Sequence, residues 1–117
     1  MSSDRPALVA AVVRALDDTE REYAQMPFFV RPMVRRGFEK RTGHDLAGWR
    51  ALLARVGDRP APELDRPLAA LAEHYRGAPE RARRGMGARP DELREVEARS
   101  TARAAAVEAL RAAVVAA

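Results

Sequence analysis

Acid–base and metal chemistry rest most often on imidazoles and carboxylates, and this chain of 117 residues carries two histidines, His44 and His74. A helical metal pair sets its ligands at i and i+4, on one face. These two stand about thirty residues apart on different expected elements. Each therefore reads as a surface or capping side chain, and no metal site is expected. A hydrolytic triad would have to recruit Ser2, Ser3 or Ser100, and none follows a strand in the tight turn that presents and activates a hydroxyl. Among the carboxylates, Glu92 and Glu95 share a helix face while Glu97 points elsewhere, with an arginine close to each, the pattern of a solvated salt-bridge face. Gly85-Met86-Gly87 lacks the further glycines and the preceding strand that a phosphate-cradling loop requires. The absence of cysteine removes thiolate zinc sites, cysteine-held iron–sulfur clusters, disulfides and cysteine nucleophiles together. No catalytic residue and no cofactor is assigned.

What the chain does offer is arginine, twenty of them against the single Lys40. From Pro27 to Arg55 seven basic side chains (Arg31, Arg35, Arg36, Lys40, Arg41, Arg50 and Arg55) meet two acids, a net of +5 in a chain whose whole net charge is +4. From Arg76 to Pro90 five arginines, among them Arg81, Arg83, Arg84 and Arg89, meet one glutamate, a net of +4. Residues 1–26 are the acidic element, with a net of −2. On a helix, Arg31 and Arg35 lie one turn apart, as do Arg36 and Lys40, while Val30, Val34 and Phe38 form a separate stripe. Arg31, Arg35, Arg36, Lys40 and Arg41 are thus a candidate docking face for an acidic protein surface, a phosphate or a nucleic-acid backbone. The competing reading is internal, with the acidic flank of the first helix lying across that face. Composition supplies a bland cause as well: 25 Ala, ten Val, no Ile and no Asn are what G- and C-rich coding DNA produces, and it produces arginine too.

The elements that must hold these side chains are all helical. Asp4 caps a first helix over about 6–25, with Pro6 in its first turn and Leu8, Val12, Leu16, Thr19 and Tyr23 recurring at helical spacing. Pro27 breaks it at Met26. A second helix starts near Arg31, because Pro32 fits only a first turn, and ends at Thr42-Gly43. Asp45 caps a third through Trp49, Leu52, Leu53 and Val56. The breakers of Gly57-Asp58-Arg59-Pro60-Ala61-Pro62 form a loop before a fourth helix with Leu64, Leu68, Leu71, Ala72 and Tyr75, which ends near Gly77. A helical turn over Glu80 to Arg84 precedes an elbow at Gly85-Met86-Gly87. Pro90-Asp91-Glu92 opens the longest helix, whose Leu93, Val96, Ser100, Val107, Leu110 and Val114 form a seam interrupted by Arg103. No alternating strand pattern and no internal repeat is present.

The expectation is an all-α fold, a single compact domain over residues 1–117 with four to five helices and a long C-terminal helix. The first, second, Trp49 and C-terminal helices are expected to share its core. The longest apolar stretch, Ala7 to Val13, falls short of the roughly 20 residues of a membrane span. Asp4 and Pro6 stand where a secretory signal would be basic, so a cytoplasmic location is expected. Packing of the last helix against a second copy, as a homodimer, is the minority reading of its seam.

Met26-Pro27-Phe28-Phe29-Val30-Arg31-Pro32-Met33-Val34-Arg35-Arg36-Gly37-Phe38-Glu39-Lys40 resembles the small helical domain of the protochlorophyllide reductase (PCP reductase) family. That domain closes one subunit of the light-independent enzyme and occurs in short stand-alone bacterial proteins. The resemblance covers residues 26–43 and departs from the family pattern at Pro32. It implies a helical accessory module without reductase activity, with Phe28, Phe29, Val30 and Phe38 as packing residues and Arg31, Arg35 and Arg36 as an exposed face. Thr42-Gly43-His44-Asp45-Leu46-Ala47-Gly48-Trp49 is similar to a family of uncharacterised bacterial helical domains and implies a capped helix with a buried Trp.

The leading expectation is therefore a non-catalytic module that docks on an acidic protein partner through Arg31, Arg35, Arg36, Lys40 and Arg41. A nucleic-acid-binding protein using 31–41 and 81–89 is the alternative. A small-ligand binder or enzyme with a pocket among Tyr23, Trp49 and Tyr75 is the third.

Overall fold

In the computed structural model, which describes residues 4–86 and 88–116, those residues form six α-helices and no strand. They are α1 (Arg5–Ala24), α2 (Arg31–Thr42), α3 (Leu46–Ala54), α4 (Asp65–Arg76), α5 (Ala78–Met86) and α6 (Pro90–Val115), with a short 3-10 turn at Pro62–Leu64 before α4. At 1.5 Å per residue α6 runs about 39 Å, which sets the long axis of a molecule measuring 44 × 26 × 20 Å.

Local chemistry places the boundaries. Asp4 accepts from the Ala7 amide at 3.4 Å and Asp45 from the Gly48 amide at 2.7 Å, so both expected caps form. Gly43 closes α2 at φ 86°, a left-handed conformation that strains any residue with a Cβ, and donates to the Glu39 carbonyl at 2.8 Å. Pro32 and Pro67 both fall in first turns, where no amide is needed.

The core is built around α4, whose broadest contact is with α6. Leu68, Leu71, Ala72 and Tyr75 of α4 are sealed against Val107, Leu110 and Val114 of α6, with Val12 and Leu16 of α1 completing one continuous cluster. This corrects the expected core, which left the fourth helix out. Trp49 and Leu53 of α3 and Phe38 of α2 enter the same cluster. A second correction concerns 78–86: the expected turn is a helix of nine residues, Gly85 belongs to it, and Gly87 lies outside the described residues.

Among the described residues, no fully buried side-chain nitrogen or oxygen lacks a hydrogen-bond partner. The Thr42 hydroxyl accepts from the Trp49 indole N–H at 2.9 Å and is itself 2.9 Å from the carbonyls of Phe38 and His44. The Thr19 hydroxyl donates to the Ala15 carbonyl at 2.8 Å, which leaves Tyr75 to donate to it across 2.8 Å. Burial pushes the Tyr75 phenol up to about 12. Arg5, at the head of α1, donates to the carbonyls of Gly57, Arg59 and Ala113, pinning the 57–61 loop to the end of α6.

Candidate functional site

The acidic flank of α1 is spent on helices other than α2. Arg50 of α3 reaches Asp17 at 2.9 Å and Glu20 at 2.6 Å. Glu22 takes both terminal nitrogens of Arg103, at 3.0 and 2.5 Å, with Arg99 beyond at 3.7 Å. Asp18 pairs with Arg21 within α1 itself. Only one link runs to the basic helix, from Arg35 to Glu20 at 3.9 Å, at the limit of an ion pair.

The five candidate docking residues consequently divide. Arg31 donates its Nε to the Met26 carbonyl at 2.9 Å, so it braces the turn between α1 and α2 rather than standing free. Arg41 is exposed but donates its Nε to Nδ1 of His74 at 3.1 Å. Arg36 and Lys40 are exposed and, among the described residues, have no carboxylate within 4.0 Å. Arg35 is exposed with its one long-range pair.

Next to these cations lies an apolar patch. Phe28, Phe29 and Met33 are 78, 71 and 65% exposed, the most exposed large apolar side chains among the described residues. Phe28 and Phe29, which the resemblance casts as packing residues, are thus surface residues. Pro27 opens a turn in which Val30 donates to the Pro27 carbonyl at 2.9 Å, and regular helix begins only at Arg31. Both rings sit in that turn, outside the helical stripe, and stack edge to face with centroids 5.9 Å apart. Of the expected stripe, Phe38 is buried and Val34 packs on the core, whereas Val30 is half-buried at the N-cap of α2 and lies outside the core cluster. Met33, one position off the stripe, faces out.

The second basic cluster is tied locally. Arg83 and Arg84 both pair with Glu80, Arg84 at 3.0 Å, and Arg89 pairs with Glu92 at 2.7 Å. Arg81 donates to the His74 carbonyl at 2.6 Å. His74 is therefore neither surface nor cap. It lies buried, edge-on to Phe38 at 4.9 Å and Tyr75 at 5.2 Å. Burial first, and then the charges of Arg81 and Arg41, push its imidazole down to about 3. His44 is half-buried against the Trp49 ring, centroids 5.4 Å apart.

Tyr23, Trp49 and Tyr75, the rings of the expected pocket, are all buried in the core cluster. An open cleft of about 690 Å³ lies elsewhere, between the end of α3 and the 57–64 segment, lined by Leu52, Val56, Pro60 and Leu64 with Arg55 and Glu63. Of the seam of α6, Ser100, Val107, Leu110 and Val114 are buried within the chain, whereas Leu93 and Val96, towards its N-terminal end, are half-buried. Arg103 interrupts the seam because it serves Glu22 and lies over the Tyr75 ring, 6.0 Å from its centroid. Among the described residues no group of three or more His, Asp and Glu could hold a metal, and no helix is long and apolar enough to cross a membrane.

Set against known proteins, the chain matches no family model, no curated protein and no solved structure.

Proposed function

We propose that this protein is a non-catalytic docking module whose contact surface is the turn and outer face of α2. Phe28, Phe29 and Met33 are its anchors, with Arg35, Arg36 and Lys40 as a basic rim. The observation that carries the reading is the joint exposure of those three large apolar side chains beside cations that have little or no carboxylate partner among the described residues. Aromatic and methionine side chains supply most of the energy at a protein interface, while rim charges steer the encounter and select the partner. The matching occupant is a protein surface with an apolar socket bordered by Asp and Glu. Arg31 and Arg41 drop out of the contact set, because their guanidiniums hold the fold. The resemblance of residues 26–43 to the PCP reductase domain would fit a module of this kind, an accessory part that binds within a larger assembly.

The test is affinity capture with the immobilised protein, wild type against Arg35→Glu/Arg36→Glu/Lys40→Glu, before and after nuclease treatment and across 50–300 mM salt. The reading expects a nuclease-resistant partner that wild type retains, the charge-reversed variant loses and high salt weakens. Equal recovery by both proteins defeats it. Recovery that vanishes with nuclease hands the surface to nucleic acid, where Phe28 and Phe29 would stack on bases instead.

A further inference from the structure

Arg41 of α2 and Arg81 of α5 are distant in sequence but converge on one residue. Arg41 donates its Nε to the His74 ring at 3.1 Å, and Arg81 donates one terminal nitrogen to the His74 carbonyl at 2.6 Å. Those are the only hydrogen bonds either guanidinium makes among the described residues, and neither has a carboxylate within 4.0 Å. Each guanidinium carries five N–H donors. Both terminal nitrogens of Arg41 and the Nε and second terminal nitrogen of Arg81 therefore remain unassigned to any protein acceptor.

Two glycines clear the ground for these groups. A Cβ on Gly37 would lie 3.1 Å from a terminal nitrogen of Arg41, and one on Gly77 would lie 2.8 Å from a terminal nitrogen of Arg81. Neither glycine has a left-handed backbone, so conformation does not require glycine at either place. Space for the guanidiniums is what the missing Cβ atoms provide. Two like charges, one of them half-buried, repel each other across a medium less polar than water. The charge of Arg41 and desolvation both act on Arg81 to disfavour its cationic form. An anion between them would reverse that penalty and accept the free N–H groups in the forked geometry that suits tetrahedral oxyanions.

We infer that Arg41 and Arg81, braced on His74, form a binding site for the phosphate group of a small soluble molecule. The site is separate from the Phe28 face and does not depend on it. The probe is inorganic phosphate at pH 7.5, titrated against the intact protein by thermal shift and calorimetry with ionic strength matched in chloride. Saturable stabilisation of wild type is expected, with affinity at least fivefold weaker in Arg41→Gln, Arg81→Gln and Gly77→Ala and unchanged in Arg36→Gln. Gly77→Ala is the informative variant, since it keeps every charge and displaces only the end of a flexible side chain. Failure of phosphate to saturate overturns the inference. So does an equal loss in Arg36→Gln, which would mean diffuse charge. Co-sedimentation with phosphatidic-acid vesicles without any response to free phosphate would also overturn it, assigning the pair to a lipid headgroup.

Discussion

Along the contact of α1 with α6, Arg103 is 14% exposed and held by both oxygens of Glu22, whereas on the outer face of α2 Arg36 and Lys40 stand in solvent with no carboxylate within 4.0 Å among the described residues. The aromatic rings divide in the same way. Trp49 has no exposed surface and its indole N–H is satisfied, while Phe28 and Phe29 keep most of theirs in water. One chain thus uses identical side-chain types in two manners, closing the core in one region and presenting a surface in the other. Net charge and composition cannot separate these uses, because partners drawn from distant segments decide them.

The division is sharpest where a side chain is removed. Trp49→Ala empties a sealed site and also frees the Thr42 hydroxyl, and it should cost about 3–5 kcal/mol in chemical denaturation. Phe28→Ser/Phe29→Ser should change stability by no more than about 0.5 kcal/mol in the same experiment. Comparable losses from both would erase the contrast.

His74 tests the sealed region by pH. Its folded pKa, about 3, lies below the unfolded value of 6.5, so the unfolded chain binds the extra proton between those limits. Stability is therefore full above about pH 6.5 and declines as pH falls toward 3, by on the order of 4 kcal/mol from this group. Replacing it as His74→Gln should remove that part of the slope between pH 7 and 4 while leaving the carboxylate contribution below it. An unchanged slope would mean that the imidazole is solvated.

A smaller effect separates the arginines. Arg103→Ala leaves Glu22 half-buried without its main partner and should cost about 2 kcal/mol. Arg36→Ala should stay within about 0.5 kcal/mol, and equal values would place both residues in the same environment.

Much of the fold was legible because its signals are local. Asp4, Asp45 and Gly43 act within a few residues of themselves, and each does what its type and place foretell. The seam of α6 followed from periodicity alone. What escaped is set by tertiary partners: His74 is buried because Arg41, 33 residues away, satisfies its ring, and Arg103 sits in an apolar seam because Glu22 is 81 residues away. The apolar row Leu68, Leu71, Ala72 and Tyr75 was readable, but its place at the centre of the core depends on how six helices pack, which a single element does not encode. Phe28 and Phe29 escaped for a different reason. They look like the start of a buried stripe, yet Pro27 puts them in a turn where helical periodicity does not apply. Of the five basic residues expected on the face of α2, Arg35, Arg36 and Lys40 are exposed, and Arg36 and Lys40 have no carboxylate within 4.0 Å among the described residues. Arg31 and Arg41 are tied by hydrogen bonds to the Met26 carbonyl and the His74 ring, and Phe28 and Phe29, cast as packing residues, are exposed.

The exposed face is the central claim, and one comparison tests it most directly: partner capture by wild type against Phe28→Ser/Phe29→Ser/Met33→Ser, with melting temperature measured alongside and the captured surface mapped by cross-linking. The account predicts an unchanged melting temperature, at least tenfold lower recovery, and wild-type cross-links from Lys40 to a site bordered by acids on the partner. Full recovery by the triple variant at the same melting temperature would contradict it.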